Sequence, residues 1–244
     1  MKYLAITSTL VACSLLNAQA DEATVDKAIQ LYETRHLNKE NLDQSYKMLQ
    51  EIVLNDPNDL RANYELAKVY YLLGDQAIKK DEKIRLYAKG QGYGKAAIKI
   101  DDNSAWAHFW YMVDVGRVGQ TKGVLNSLSL VPEIKKEIDR VLKIDPKHTG
   151  ALDAKAMLYY ELPGLLGGNI NKSIECLEKA IALDSNYTLL YIDMAKCLIK
   201  KREFEKSRWF LNKTIGIQKP TYEADFIIDD KPEAEKLLKQ IEGK

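Results

Sequence analysis

Apolar residues return along most of this chain at the three-and-four spacing of amphipathic helices, with turn chemistry between the runs. Val25, Ala28, Ile29 and Tyr32 share one face of a first segment from Thr24 to Leu37, and Leu42, Tyr46, Leu49, Ile52 and Val53 share the face of a second. Asn55-Asp56-Pro57 ends that hairpin, because proline cannot continue a helix and Asn58 or Asp59 can cap the next one. Leu60 to Leu73 carries Ala62, Leu66, Ala67, Tyr70 and Tyr71 in the A-helix pattern of a tetratricopeptide repeat, and its partner runs from about Asp81 to Ile100. The closures Val53-Leu54-Asn55-Asp56-Pro57, Ile98-Lys99-Ile100-Asp101-Asp102, Leu142-Lys143-Ile144-Asp145-Pro146 and Ile181-Ala182-Leu183-Asp184-Ser185 recur at about forty residues, longer than the usual repeat of roughly 34. The surplus predicts extended helices or insertions. Core stripes follow at Ile134, Ile138, Val141 and Leu142, and at Ile174, Leu177, Ala180 and Ile181. Leu190 to Lys200 and Phe204 to Ile215 form one more hairpin; Tyr222 to Asp230 reads as irregular, and Pro232 to Ile241 as a last helix covering the final apolar face. The expected fold is an all-α tetratricopeptide-type helical-hairpin solenoid with a C-terminal capping helix. Its divisions are a signal peptide over 1–20, repeats over 21–220 and an extension with the cap over 221–244.

The stretch from Ser104 to Gly168 departs most from an ordinary repeat. It opens on Ala105-Trp106-Ala107-His108-Phe109-Trp110-Tyr111 and closes on Glu161-Leu162-Pro163-Gly164-Leu165-Leu166-Gly167-Gly168. Trp106, Phe109, Trp110 and Tyr111 are too many large side chains for one helical stripe to bury. Some face a groove or a partner, or they fill a core around the long loop; both readings stand. Arg117, within two turns, is placed to meet a carboxylate, or sits exposed at a helix end with no role. Upstream, Gly90-Gln91-Gly92-Tyr93-Gly94 invites a phosphate-loop reading, but no strand precedes it and no Gly-Lys-Ser or Gly-Lys-Thr follows. It predicts instead a helix lying unusually close to its neighbour.

Net charge is +1 over the chain, and removing the first twenty residues takes away one lysine and no acid, leaving 35 of each sign. That balance argues against a nucleic-acid partner, whose phosphates call for a basic excess or face. Met1-Lys2, the apolar run Tyr3 to Leu16 and Ala18-Gln19-Ala20 form a signal-peptide pattern with cleavage before Asp21, and the run is short for a transmembrane helix. Leu10-Val11-Ala12-Cys13 offers the rival reading of a lipoprotein anchored to the membrane through Cys13. Either way the protein is expected to be exported, in the periplasm. Cys176 and Cys197 sit in two helix patterns, as core residues or as a disulfide pair. His36, His108 and His148 belong to no metal-ligand pattern, no nucleophile motif is visible, and the carboxylates are spaced as solvated helix faces. No catalytic residue, metal or cofactor is expected. What remains is a concave wall of A helices suited to an extended peptide or an apolar ligand.

Ala107 to Tyr111, Gly116-Arg117, Lys122 to Leu125, Val131 to Lys136, and Tyr159-Tyr160-Glu161-Leu162-Pro163-Gly164 with Gly167-Gly168-Asn169 resemble the T-component (TatT-like) family of TRAP transporters. The likeness spans roughly residues 60 to 215. It implies a non-enzymatic periplasmic accessory protein that associates with the substrate-binding protein of an organic-solute transporter, assembles as a homo-oligomer, and holds or passes an apolar small molecule. It carries over the aromatic helix at 106 to 111, Arg117 and the Leu162-Pro163-Gly164 loop as binding residues; Tyr160, beside that loop, is a further candidate. A general periplasmic protein-interaction scaffold is the alternative. The eukaryotic regulators of microtubule dynamics are distantly similar in the same region, but the export signal disfavours that role.

Overall fold

A computed structural model describes residues 23–244; the expected signal peptide, the cleavage before Asp21 and the Cys13 anchor lie outside the described residues. Helices α1 (23–33) and α2 (Glu40–Asn55) form the first hairpin. Then come α3 (Leu60–Gln76) with α4 (Lys80–Ile100), α5 (Ala105–Lys122) with α6 (Val124–Ile144), α7 (Thr149–Glu161) with α8 (Ile170–Leu183), and α9 (Thr188–Lys200) with α10 (Phe204–Gly216). A short turn α11 (Glu223–Asp225) leads through a π-helical segment, Phe226–Asp230, into α12 (Lys231–Gln240). No strand occurs among the described residues. The protein is an all-α solenoid of stacked hairpins, and α12 covers its last apolar layer through Ala234, Leu237 and Ile241 against Ile192, Ala195 and Leu211.

The recurring aspartates have one local job. The carboxylates of Asp56, Asp101, Asp145 and Asp184 accept the amide N–H of Asn58, Asn103, Lys147 and Asn186 at 2.9, 2.8, 2.9 and 3.0 Å. Each therefore shapes the tight turn from a B helix into the next A helix. Asp59, Ser104 and His148 then cap the following helices by accepting from Ala62, Ala107 and Ala151. The extra repeat length goes into the B helices, since α4 and α6 run 21 residues each against 14 for α8 and 13 for α10.

The Gly90 to Gly94 stretch is helical and packs on α5. A methyl group on Gly94 would lie 2.7 Å from the Tyr111 Cα, and one on Gly90 would lie 2.2 Å from an Asp114 carboxylate oxygen. Asp114 is fully buried there with neither oxygen hydrogen-bonded, and burial holds its carboxyl well above the usual carboxylate range. Gly123 alone joins α5 to α6, at φ 117°, in the left-handed region where a side chain is strained. Cys176 and Cys197 are free thiols; Cys197 is buried against the Ser173 hydroxyl at 3.2 Å, and burial pushes its thiol up to about 11. The segment Tyr222 to Asp230, expected to be irregular, is helical from Glu223 onward, because Ala224 and Asp230 are both buried and the chain there is packed rather than solvated.

Two substitutions on one helix should act in opposite directions. Gly94→Ala drives a methyl into the backbone of α5 and should cost about 1–3 kcal/mol, more than the helix propensity it gains. Gly92→Ala meets open space and should stabilise by up to about 1 kcal/mol. Urea unfolding followed by circular dichroism measures both.

Candidate functional site

The A helices α1, α3, α5, α7 and α9 supply the inner wall of a cavity of about 770 Å³, and the returning segment 222–230 supplies its far side. The return path is pinned at each step. Thr221 donates to the Asp184 carboxylate at 2.8 Å, the Tyr222 ring meets the Tyr187 ring edge-to-face at 4.9 Å, and the Thr188 hydroxyl donates to Asp230 at 2.5 Å. Arg35, buried at the end of α1, reaches across to the Asp225 carboxylate while its other guanidinium nitrogen donates to the Tyr32 carbonyl at 3.1 Å. First hairpin and last segment thereby touch, and the concave face becomes a cavity bounded on both sides and partly open to solvent.

Aromatic rings run along the wall. Trp106 and Phe109 pack on the His148 ring at centroid distances of 4.5 and 4.7 Å, Phe109 meets Trp110 edge-on at 5.1 Å, and Trp110 reaches Tyr71 of α3 at 5.8 Å. Arg117 donates to the Tyr71 hydroxyl at 3.0 Å and to Asp75 at 2.9 Å, so the carboxylate it was expected to meet is one of this chain's own. Burial pushes the Tyr71 phenol to about 12, which keeps it neutral beside that pair.

Several polar groups of the wall lack partners. His148 Nδ1 accepts from the Ala151 amide, which places the ring proton on Nε2, and Nε2 has no hydrogen-bond partner although the residue is 5% exposed. Burial lowers its pKa, consistent with a neutral ring. Asp153, 9% exposed, leaves Oδ1 unsatisfied, and burial followed by the neighbouring Asp193 raises its carboxyl well above the usual range. The Arg35 Nε is likewise without a partner.

Of the residues singled out from sequence, the structure brings Trp106, Phe109, Trp110 and Arg117 to the cavity and leaves four elsewhere. Tyr111 turns to α6, where its hydroxyl donates to Glu133 at 2.6 Å. Tyr160 packs against the core between α7 and α9, under the Lys200 ammonium at 4.2 Å. Leu162 is buried in the turn after α7, and Pro163 is exposed beside it. That loop is a packing device: a methyl on Gly168 would lie 1.7 Å from the Leu162 carbonyl oxygen. Sequence reasoning missed Tyr32 and Arg35, His148 and Asp153, and the whole segment 222–230. No spacing links these positions; the acidic triplet Asp225, Asp229 and Asp230 was the one available signal. Among the described residues no group of His, Cys, Asp or Glu could hold a metal ion, and no helix is long and apolar enough to cross a membrane.

Burial lifts Asp230 from an ordinary 3.8 to about 7, the Thr188 hydroxyl holding it down and Asp225, Asp229 and Asp193 pushing it up. A carboxyl whose pKa is raised on folding contributes stability that is complete below about pH 4 and is lost as the pH rises through the folded value. Melting temperature should therefore fall as the pH rises from about 4 to about 7, and Asp230→Asn should flatten that part of the profile, as read by thermal circular dichroism across the range.

The family model described as Regulator of microtubule dynamics protein 1-3 matches residues 23–165. Regulator of microtubule dynamics protein 2 of Bos taurus is 21% identical over 216 residues, covering 80% of this chain and 52% of that protein; protein 3 of Rattus norvegicus is 22% identical over 193 residues, covering 72% and 41%. The chain thus spans about half the length of these relatives or less. Among solved structures, a thermophilic TPR protein of Thermus thermophilus, TTC0263, superposes with a TM-score of 0.68 at 14% identity, covering 89% of this chain and 99% of that one. PilF of Pseudomonas aeruginosa superposes at 0.53 with 16% identity, covering 92% and 95%. At such identities these two establish the tetratricopeptide-type fold.

The expected membership in the T-component family of TRAP transporters is overturned by these matches, which are to regulators of microtubule dynamics. With it go the accessory role in solute uptake, the substrate-binding protein as partner, the homo-oligomer and the apolar small-molecule ligand, all of which followed from that resemblance or its channel. The periplasmic placement is corrected on the same ground, since the matched relatives are eukaryotic regulators. The more distant of the two likenesses was the informative one. With the match extending over more than half of its length, the chain belongs to the family of regulators of microtubule dynamics proteins 1-3.

Proposed function

We propose that this chain is a non-enzymatic protein-interaction module whose cavity grips a segment of a partner polypeptide, and that gripping is its part in the regulation of microtubule dynamics. The observation that carries this reading is the cavity itself. It is large enough for a few residues of extended chain, and its wall combines aromatic faces with buried donors and acceptors that have no partner within the protein. Stacked hairpins present this kind of wall, and the family's name supplies the process in which a partner is sought.

The reading also accounts for which side chains are in use. Trp106 is 42% exposed, more than a core tryptophan, while its ring still packs at a tilt against His148. Arg117 is engaged by Asp75 and Tyr71, so it stiffens the wall and leaves recognition to its neighbours.

Co-sedimentation of the full chain with polymerised microtubules, with and without microtubule-associated proteins, tests the proposal. The chain should pellet with one of the two preparations, and Trp106→Ala or Trp110→Ala should weaken this by about tenfold, or about 1.4 kcal/mol, with the helical circular dichroism retained. Pelleting that survives both substitutions would place the contact on the outer face, and a chain left in the supernatant throughout would remove microtubules and their bound proteins as the partner.

A further inference from the structure

The cavity wall carries more acidic side chains than its basic ones pair with. Each of the four basic side chains on its wall already has a carboxylate of this chain: Arg35 has Asp225, Arg61 has Asp26 at 2.7 Å, Lys68 has Glu65 at 3.5 Å, and Arg117 has Asp75 at 2.9 Å. Four acidic residues of the same wall, Glu33, Asp153, Asp229 and Asp230, form no ion pair among the described residues. They come from α1, α7 and the returning segment, so they face the space from three sides. Asp153 is the deepest. It is more than nine-tenths buried, its Oδ1 has no hydrogen-bond partner, and it belongs to the same wall as the Trp106, Phe109 and His148 rings.

We propose that the polypeptide segment taken up by the cavity is basic, a lysine or arginine of the partner entering between the aromatic rings on α5 and the carboxylates of Asp153, Asp229 and Glu33. The inference rests on the protein-interaction reading and names the chemistry of the occupant. An aromatic face attracts a cation through its ring quadrupole, the more so where water is excluded, and the Asp153 carboxyl, which burial holds neutral in the empty cavity, gives up its proton as the cation arrives beside it. A basic occupant thus answers the surplus of acidic side chains on the wall. An acidic segment would meet a further set of carboxylates at close range, and an apolar one would leave Asp153 buried and unsatisfied.

The three tryptophans provide a built-in readout, because Trp106 and Trp110 line the cavity whereas Trp209 lies on α10 outside it, 59% exposed. Three fluorescein-labelled peptides of glycine and serine, carrying lysine, glutamate or leucine at the same three positions, are titrated into the full chain by fluorescence anisotropy. The same peptides without the dye are followed by the indole cross-peaks of the nitrogen-labelled protein. The lysine peptide should bind at least about tenfold more tightly than the other two, moving the Trp106 and Trp110 peaks and leaving that of Trp209 in place. Asp153→Asn and Asp229→Asn should each weaken it several-fold; Asp229 is exposed, so its variant keeps the test intact if Asp153→Asn unfolds. Tightest binding of the glutamate or leucine peptide, with the same two peaks moving, would overturn the basic occupant while keeping the cavity as a peptide site. Lysine binding that ignores both aspartate variants, or that moves only Trp209, would overturn it as well. No movement of Trp106 or Trp110 with any peptide would bring down the peptide-binding reading and this inference with it.

Discussion

One contact joins the two ends of the repeat array, beyond the pins that hold the returning segment on α9 and the turn before it. Arg35 and Asp225 are separated by 190 positions in sequence, yet the guanidinium of the first hairpin is buried against the carboxylate of the last segment. Removing one partner of such a pair leaves an uncompensated buried charge, which makes the contact costly to break once formed. With it the hairpins and the returning segment line one cavity, and much of the inner wall is withdrawn from water.

That withdrawal explains the electrostatic character of the site. Asp153 and Asp230 are carried into the wall by helices whose outer faces are satisfied elsewhere, and burial penalises their charged forms. His148 spends one ring nitrogen capping α7 and is left with the other facing no partner. A structure built only for stability would fill such positions with apolar side chains. The wall thus keeps buried polar groups without partners beside Trp106 and Phe109.

Several of the residues that suggested a transporter component serve the packing of the hairpins. Tyr111 sits where α4 approaches closest, with its backbone against Gly94; Leu162 and Gly168 fold the turn after α7 onto itself; Gly116 lies near Ile134 on the α5–α6 seam. Any solenoid with these long repeats needs small residues and tight turns at those places. A shared set of them therefore reports how hairpins stack and says little about what the stack binds.

What the amino-acid sequence determined by itself was local. Helical periodicity, the aspartates at each closure and the final amphipathic helix were legible because they depend on residues within a few positions of one another. Trp106, Phe109 and Trp110 were legible as a group for the same reason, being too bulky for one buried stripe. The tertiary structure alone decided which of the aromatics face inward, that Arg117 is spent on Asp75, and that residues 222–230 return to line the cavity. Those outcomes hang on the small rotation and rise between successive hairpins, accumulated over five of them. No pattern within a single repeat encodes that sum, and it is the sum that brings Arg35 to Asp225.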